Sequence, residues 1–412
     1  MKKIFFLFFF LSLNKFSFTQ GLKNIDINRM LTVANIQYKN VLKVSQDLTK
    51  YPRTQDKNGS LKYVNINDWT GGFWAGNLWY MYELTKDTYW KDQAVKWTES
   101  LNKNQFNTSH HDLGFMMYCS YGKAYKRTLS PNYKDVLIQS AKSLKSRFNT
   151  RVGSIESWNS RMSWDGKTLW DYPVIIDNLM NLELLFFASK ETGDNSYKDI
   201  AIKHAETALK NHIRPDFSSY HVINYDTISG KVLHRETCQG YADNSTWARG
   251  QAWGIYGYTM IYRETKDRKF LDAAIGLSDF FLKHKNLPKD YIPYWDFNVG
   301  EEGYDPKFKY NTSVYKEIPR DASAAAIVSS ALLELCNYVP LKKKVIYLEA
   351  AEKILKSLST SRYLARPGTN GGFLLKHSTG SFPHNKEVDV PLVYADYYYL
   401  EALIRYKNLN KI

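Results

Sequence analysis

Twelve stretches of the chain carry the 3.6-residue apolar repeat of a helix, and they alternate in kind. They fall near residues 29–49, 70–86, 90–103, 112–127, 132–148, 173–191, 196–211, 245–264, 268–283, 321–338, 343–357 and 391–406. One member of a pair is apolar nearly all round, and the next is amphipathic and lysine-rich. The run from Val174 to Ala188 is of the first kind; the stretch holding Tyr197, Ile200, Ala201, His204, Ala205, Ala208 and Leu209 is of the second. A helix with no polar face has to be covered on every side. Twelve helices in alternating inner and outer roles therefore predict an all-α fold, an (α/α)6 barrel of two layers. No Gly/Ser-rich linker or break in composition divides residues 21–412, which are expected to form a single domain.

Residues 1–20 read as a secretory signal. Lys2 and Lys3 give a basic start, and Ile4 to Leu13 is a Phe-rich apolar run too short to span a bilayer. No later stretch is apolar and long enough for a membrane span. An exported protein is expected, periplasmic or secreted. Cys119, Cys238 and Cys336 are too few for a disulfide framework and lack metal-ligand spacing, so they read as small buried apolar residues. The net charge of +15 falls to +12 without Lys2, Lys3 and Lys15, since the leader holds no acidic residue. Such an excess favours anionic partners. There is no basic run or nucleic-acid motif, so an acidic polysaccharide suits an exported chain better than nucleic acid; a merely solvated basic surface is the plain alternative.

Two long connections interrupt the helices. Residues 213–244 contain alternating stretches, Tyr220 to Tyr225 and Lys231 to His234, around Ser229-Gly230, which predicts a hairpin. Residues 284–320 hold Ile292-Pro-Tyr-Trp-Asp-Phe297 and a turn-rich stretch. Long insertions of this sort usually build function.

Asp177 interrupts the apolar run that holds Ile175, Ile176, Leu179 and Met180. A buried, unpaired carboxyl escapes its desolvation cost by keeping a proton, and a neutral Asp near pH 7 is a general acid. In a helix, Asn181 would share its face and orient it. In His110-His-Asp-Leu-Gly-Phe115, Asp112 serves either as a helix cap or as the second carboxylate; two neighbouring carboxylates drive their pKa values apart. The adjacent histidines have no third ligand at helical spacing, so no metal is expected. Trp69 and Phe73 flank Gly71-Gly72, glycines that suit a tight turn, at the start of an aromatic helix, and offer faces for a sugar ring or for the core. Arg249 and Trp253 are four residues apart, a pairing suited to a carboxylate-bearing ring, while Asp243 or Glu264 offers Arg249 a structural partner. Gly250, Gly254 and Gly257 mark a face that another segment can approach closely.

Taken in order, these segments resemble the unsaturated glucuronyl hydrolases of glycoside hydrolase family 88. The resemblance rests on Trp69-Thr-Gly-Gly-Phe-Trp-Ala-Gly76, His111-Asp-Leu-Gly-Phe115, Ile176-Asp-Asn-Leu-Met-Asn-Leu182, Trp247-Ala-Arg-Gly-Gln-Ala-Trp253, Ile292 to Phe297, Asp321-Ala-Ser-Ala-Ala-Ala-Ile327 and Val388 to Tyr398. It implies an (α/α)6 barrel. It implies removal of a 4,5-unsaturated uronic acid from the non-reducing end of lyase-generated oligosaccharides, by hydration of a vinyl ether and with no cofactor or metal. By similarity Asp177 is the acid/base and Asp112 the assisting carboxylate. His221, Gln239, Arg249 and Trp253 match substrate contacts, and Trp69 and Trp158 match stacking residues. Family members that accept sulfated sugars place serines and a basic residue near Ser378-Thr-Gly-Ser381; here Pro383 stands where a lysine is wanted, although Lys386 is close, and the segment is expected to be a plain loop. The rival readings are a related hydrolase of unsaturated rhamnogalacturonan fragments, a non-catalytic exported carbohydrate-binding protein, and a sugar epimerase, whose acid and base would be a histidine pair.

Overall fold

The computed structural model describes residues 25–56, 58–309 and 314–410; the leader read at residues 1–20 lies outside them. Among the described residues there are twelve α-helices: α1 (Ile27–Val44), α2 (Gly71–Thr85), α3 (Thr88–Glu99), α4 (Lys123–Thr128), α5 (Pro131–Lys145), α6 (Leu182–Thr192), α7 (Asn195–His212), α8 (Ala248–Thr265), α9 (Arg268–Lys283), α10 (Ala322–Leu335), α11 (Leu341–Leu358) and α12 (Val393–Asn410). The even-numbered helices close an inner ring in chain order, with α12 returning to α2; the odd-numbered ones pack outside, α3 on α2, α7 on α6, α9 on α8 and α11 on α10. This is the (α/α)6 barrel that the alternation implies. Helices α2, α8 and α10 are buried along most of their length, as all-round apolar sequences require. None of the described helices is long and apolar enough to cross a membrane.

One local device repeats at the closed end. Lys86-Asp87, Leu129-Ser130, Gly193-Asp194 and Lys266-Asp267 each join an inner helix to the next outer one in two residues. The first residue ends the inner helix in the left-handed conformation. In three of the four the second is an Asp whose side chain accepts the N–H of Tyr89, Ser196 or Lys269 at the start of the outer helix. Two-residue links force antiparallel neighbours. The long outer-to-inner connections therefore all emerge at the opposite end, the mouth, where the inner helices begin.

The mouth carries the strands. β1 (Tyr51–Gln55) and β2 (Leu61–Val64) form a hairpin before α2. β3 (Phe148–Asn149) pairs with β4 (Ser154–Ile155), and β5 (Arg161–Met162) with β6 (Leu169–Trp170). β7 (Pro173–Ile175), β8 (Val222–Tyr225) and β9 (Val232–Glu236) make an antiparallel sheet. Its β8–β9 hairpin is the one read around Ser229-Gly230. Gly230 has φ +70°, and a Cβ there would sit 2.3 Å from the Arg151 carbonyl oxygen. β10 (Ser378–Ser381) and β11 (Lys386–Val390) form the last hairpin, before α12.

Two segments depart from the sequence reading. The helix expected over 173–191 begins as β7, drawn into the sheet by pairing with β8, passes through a 3-10 turn at Ile176–Asn181 and becomes α-helical only at Leu182. The helix expected over 112–127 opens with a π-helical run, Gly114–Gly122. Its wide turns push the Met116 and Cys119 carbonyls against α2, where a Cβ on Gly72 or Gly76 would lie 2.0 or 2.6 Å from them. Gly71 and Gly72 thus make no left-handed turn; they lie inside α2, and Gly72 serves close approach.

The inner ring is pinned below the mouth by buried charge. Glu401 of α12 accepts hydrogen bonds from Tyr80 of α2 (2.7 Å), Tyr256 of α8 (2.9 Å) and Ser330 of α10 (2.7 Å). Lys123 lies 3.4 Å and Arg405 3.7 Å from it. Burial opposes its ionisation, but the charges of Arg405 and Lys123 and these hydroxyls hold its carboxyl far below the usual range. Arg405 also pairs with Glu334, which meets Arg263, which meets Glu183 of α6.

Candidate active site

At the mouth is a cavity of about 300 Å³ whose walls include Asp112, Asp177, Arg249, Gln239, Trp69 and Trp158. Residues some two hundred apart in sequence meet there because each lies at or before the start of an inner helix. The inner helices α2, α6, α8, α10 and α12 also begin on the mouth side, which favours an anionic guest.

Asp177 sits in the 3-10 turn between β7 and α6. That turn packs on the glycine face of α8: a Cβ on Gly250 would lie 3.2 Å from Ile176, and one on Gly257 2.6 Å from Leu179. Gly257, and less tightly Gly250, thus let the turn approach closely; Gly254 does not, since a Cβ there would meet Leu277 of α9 at 3.3 Å and Ile176 only at 3.9 Å. Asp177 is 8 % exposed, and its Oδ1 has no hydrogen-bond partner. Burial pushes its pKa up to about 7. Arg249 pulls it down, the charge of Asp112 adds to the rise, and its own backbone and the Trp253 indole N–H favour the anion. Asn181 does not orient it. In a 3-10 turn residues i and i+4 no longer share a face; the Asn181 Oδ1 instead accepts the Phe115 N–H at 2.9 Å.

Asp112 does not cap a helix with its side chain. Its two oxygens face His110 Nδ1 (3.1 Å) and His111 Nε2 (3.2 Å). Burial opposes its ionisation; His111, His110 and Arg147 outweigh burial and hold the carboxyl below its ordinary range. His111 is fully buried, and burial lowers its pKa to about 4, so it is neutral near pH 7. Ser157, which accepts the Ile175 N–H at 2.9 Å, lies 3.3 Å from His111 Nδ1. Where that hydroxyl donates to Nδ1, the imidazole proton sits on Nε2, 3.2 Å from Asp112. Below about pH 7, and above the lowered range of Asp112, the cavity thus holds one protonated and one ionised carboxyl.

Arg249 is 1 % exposed and pairs with Asp321 (2.7 Å), not with Asp243 or Glu264. Those two lie away from its head group, whereas Asp321 caps α10 beside it, accepting the N–H groups of Ser323 and Ala324. Arg249 also donates to the Thr379 carbonyl and, at 2.6 Å, to that of Gly380. Gln239 donates to the same Gly380 carbonyl at 3.1 Å. Trp158 stacks on Trp170 at 6.0 Å and 25°, and Trp69 packs 4.9 Å from Tyr394, so both rings are held at the wall.

Two residues matched to substrate contacts do not line the cavity. Trp253 is fully buried behind it, wedged against Phe115 (5.0 Å) and Tyr398 (5.3 Å), and its indole N–H favours the Asp177 anion. His221 is buried against Trp247 (4.5 Å), and its Nδ1 accepts the N–H groups of Cys238 (3.1 Å) and Gln239 (3.2 Å). That assignment leaves the proton on Nε2, which has no partner. Burial drives its pKa well below the ordinary value, so it is a neutral donor.

The cavity wall also contains Arg53, Arg161, His384 and Glu387, which the sequence reading missed, and Lys386, which it noted only as a basic residue near Ser381. None belongs to an aromatic or glycine-marked motif. The segment read as a plain loop at Ser378 to Ser381 is strand β10, and Gly380 and Ser381 line the cavity. All three cysteines are buried and unpaired.

The profile of Glycosyl Hydrolase Family 88 matches residues 43–273. The chain is 51% identical over 347 residues to an unsaturated glucuronyl hydrolase of Formosa agariphila, covering 84% of this chain and 82% of the relative. It is 37% identical to an unsaturated chondroitin disaccharide hydrolase of Streptococcus pneumoniae, covering 84% of each. A solved unsaturated glucuronyl hydrolase specific for heparin superposes with a TM-score of 0.86 at 46% identity, over 94% of this chain and 98% of that one.

Proposed function

Since the chain belongs to glycoside hydrolase family 88, we propose that Asp177 and Asp112 carry the reaction its relatives perform. The enzyme is a glycosidase that removes a 4,5-unsaturated uronic acid from oligosaccharides. The substrate end is a vinyl ether, and its carbon C4 is the nucleophile. Neutral Asp177 delivers its proton to C4, and cationic character develops at C5 and the ring oxygen. Ionised Asp112, held by His110 and His111, stabilises that charge. The Asp177 carboxylate then takes a proton from the water that adds to C5, which restores the acid. The hemiketal at C5 opens to a ketone, and the hemiacetal left at C1 collapses to an aldehyde and releases the remaining sugar as an alcohol.

The observation that carries this reading is the pair of opposed environments: burial keeps Asp177 protonated up to about 7, while two imidazoles keep Asp112 charged. Arg249 and Gln239 lie at the wall for the substrate's carboxylate and hydroxyls. His221 offers its Nε2–H from behind the wall, and Trp69 and Trp158 offer flat faces. The test follows the ultraviolet band of the conjugated double bond. Asp177→Asn should abolish its decay while circular dichroism stays unchanged; an active Asp177→Asn enzyme refutes the assignment. The Phe-rich apolar opening behind Lys2 and Lys3 supports export, which N-terminal sequencing of protein from a cell envelope or medium fraction would test.

A further inference from the structure

Trp247 immediately precedes α8, and Arg249 is the second residue of that helix. Side chains two apart on a helix point away from each other. These two meet because Trp247 is extended, with φ −62° and ψ 121°. Its backbone is pinned in that form. Trp247 and Asp296 make an antiparallel bridge, in which the Phe297 N–H donates to the Thr246 carbonyl at 3.0 Å and the Ala248 N–H to the Trp295 carbonyl at 3.1 Å. The indole folds back over the start of α8. A Cβ on Gly250 would lie 2.7 Å from its Cε3 atom, so the missing side chain leaves the slot that the ring fills. Trp247 is buried and does not line the cavity. The His221 imidazole packs 4.5 Å from the ring, and the Arg249 guanidinium carbon lies over it, also at 4.5 Å. At that distance the negative face of the indole attracts the cation.

An arginine has five N–H groups. Arg249 spends both of those on Nη1, on Asp321 and the Thr379 carbonyl, and one on Nη2, on the Gly380 carbonyl. The Nε–H and the second Nη2–H remain. They lie side by side, in the fork that takes both oxygens of a carboxylate. The three acceptors hold the edge of the guanidinium, and the indole holds its face. We infer that Trp247 is a positioning residue: its ring backs the Arg249 guanidinium and keeps the unspent fork turned to the carboxylate of the unsaturated uronate. This rests on the reaction proposed above. A tryptophan that only filled space here could be replaced by any apolar side chain of similar bulk; one that backs a cation has to present a π face.

Trp247→Met fills much of the same space without a π face, and Trp247→Phe keeps a smaller face. Kinetics on an unsaturated disaccharide, followed by the ultraviolet band over a pH series, separate the two roles. Trp247→Met should raise KM about three- to thirtyfold, the worth of a buried cation–π contact, with a smaller fall in kcat. Its alkaline kcat limb should move up in pH, because Arg249 pulls the Asp177 pKa down and a loosened guanidinium pulls less. Trp247→Phe should show both changes at reduced size, about two- to threefold in KM, and carries the test alone if Trp247→Met does not fold. In an Arg249→Met background, Trp247→Met should add little further loss. A folded Trp247→Met with the KM and limb of the unaltered enzyme overturns the inference and leaves the reaction standing. So do equal losses in the Phe and Met variants, a Trp247→Phe enzyme that matches the unaltered one when the Met variant does not fold, or full additivity with Arg249→Met. No turnover by the unaltered enzyme overturns the reaction as well.

Discussion

Asp177 should cost the protein stability in a way that its pH dependence exposes. In an unfolded chain its carboxyl titrates at 3.8; in the fold it titrates at about 7. Between those values the folded protein holds a proton that the unfolded chain has released. Stability therefore falls as pH climbs through that window and levels off above it. A rise of that size corresponds to ~4 kcal/mol at pH 8 and ~2 kcal/mol near pH 5.5. Asparagine has nearly the same shape and no proton to lose. Asp177→Asn should accordingly be more stable than the unaltered enzyme, by a margin that grows from near zero at pH 4 to ~4 kcal/mol at pH 8. Urea unfolding followed by tryptophan fluorescence at several pH values measures the margin. A difference independent of pH would mean that Asp177 titrates like a solvated carboxyl, and the proton-holding cavity would be refuted.

The same environment sets the rate profile: kcat should fall above about pH 7 as Asp177 loses its proton, and below the ordinary carboxylate range as Asp112 gains one. Arg249→Met removes the charge that pulls Asp177 down, so the alkaline limb should move up in pH even as turnover drops; an unmoved limb would separate the two groups. Asp321→Asn weakens the buried partner of Arg249 and should lower kcat/KM by roughly ten- to a hundredfold, the worth of a charged hydrogen bond, with Asp321→Glu recovering part of it. Glu401→Gln should destabilise the fold by ~3–5 kcal/mol near neutrality. Because the Glu401 carboxyl is held low, that loss should shrink as pH falls below about 4.5, which thermal melts over a pH series would show.

The barrel was legible in the sequence because its inner helices have no polar face, and only a surrounding layer can cover such helices. The β8–β9 hairpin was legible because Ser229-Gly230 sits between alternating strands. The local form of the turn that carries Asp177 was not. Val174 and Ile175 suit a strand as well as a helix, and only the partner β8, nearly fifty residues later, decides between them. The π-helical run at Gly114–Gly122 was equally hidden, since its fit against Gly72 and Gly76 of α2 is a contact between segments some forty residues apart. At the site, Asp177 announced itself as a charge in an apolar run. Arg53 and Glu387 did not, because an arginine and a glutamate in short mixed strands look like any solvated pair until the hairpins are set side by side. Asp321 shows the same limit: its cap of α10 is readable locally, whereas its bond to Arg249 is made across 72 residues.

The two-residue links at the closed end leave the helices no freedom in how they return, while the rim is assembled from segments spliced between one helix and the next. Asp177 and Asp112 stand where two of these spliced segments meet the ring, and Trp69 and Trp158 stand on such segments as well. A barrel of this design can alter its rim hairpins without repacking the helices beneath them.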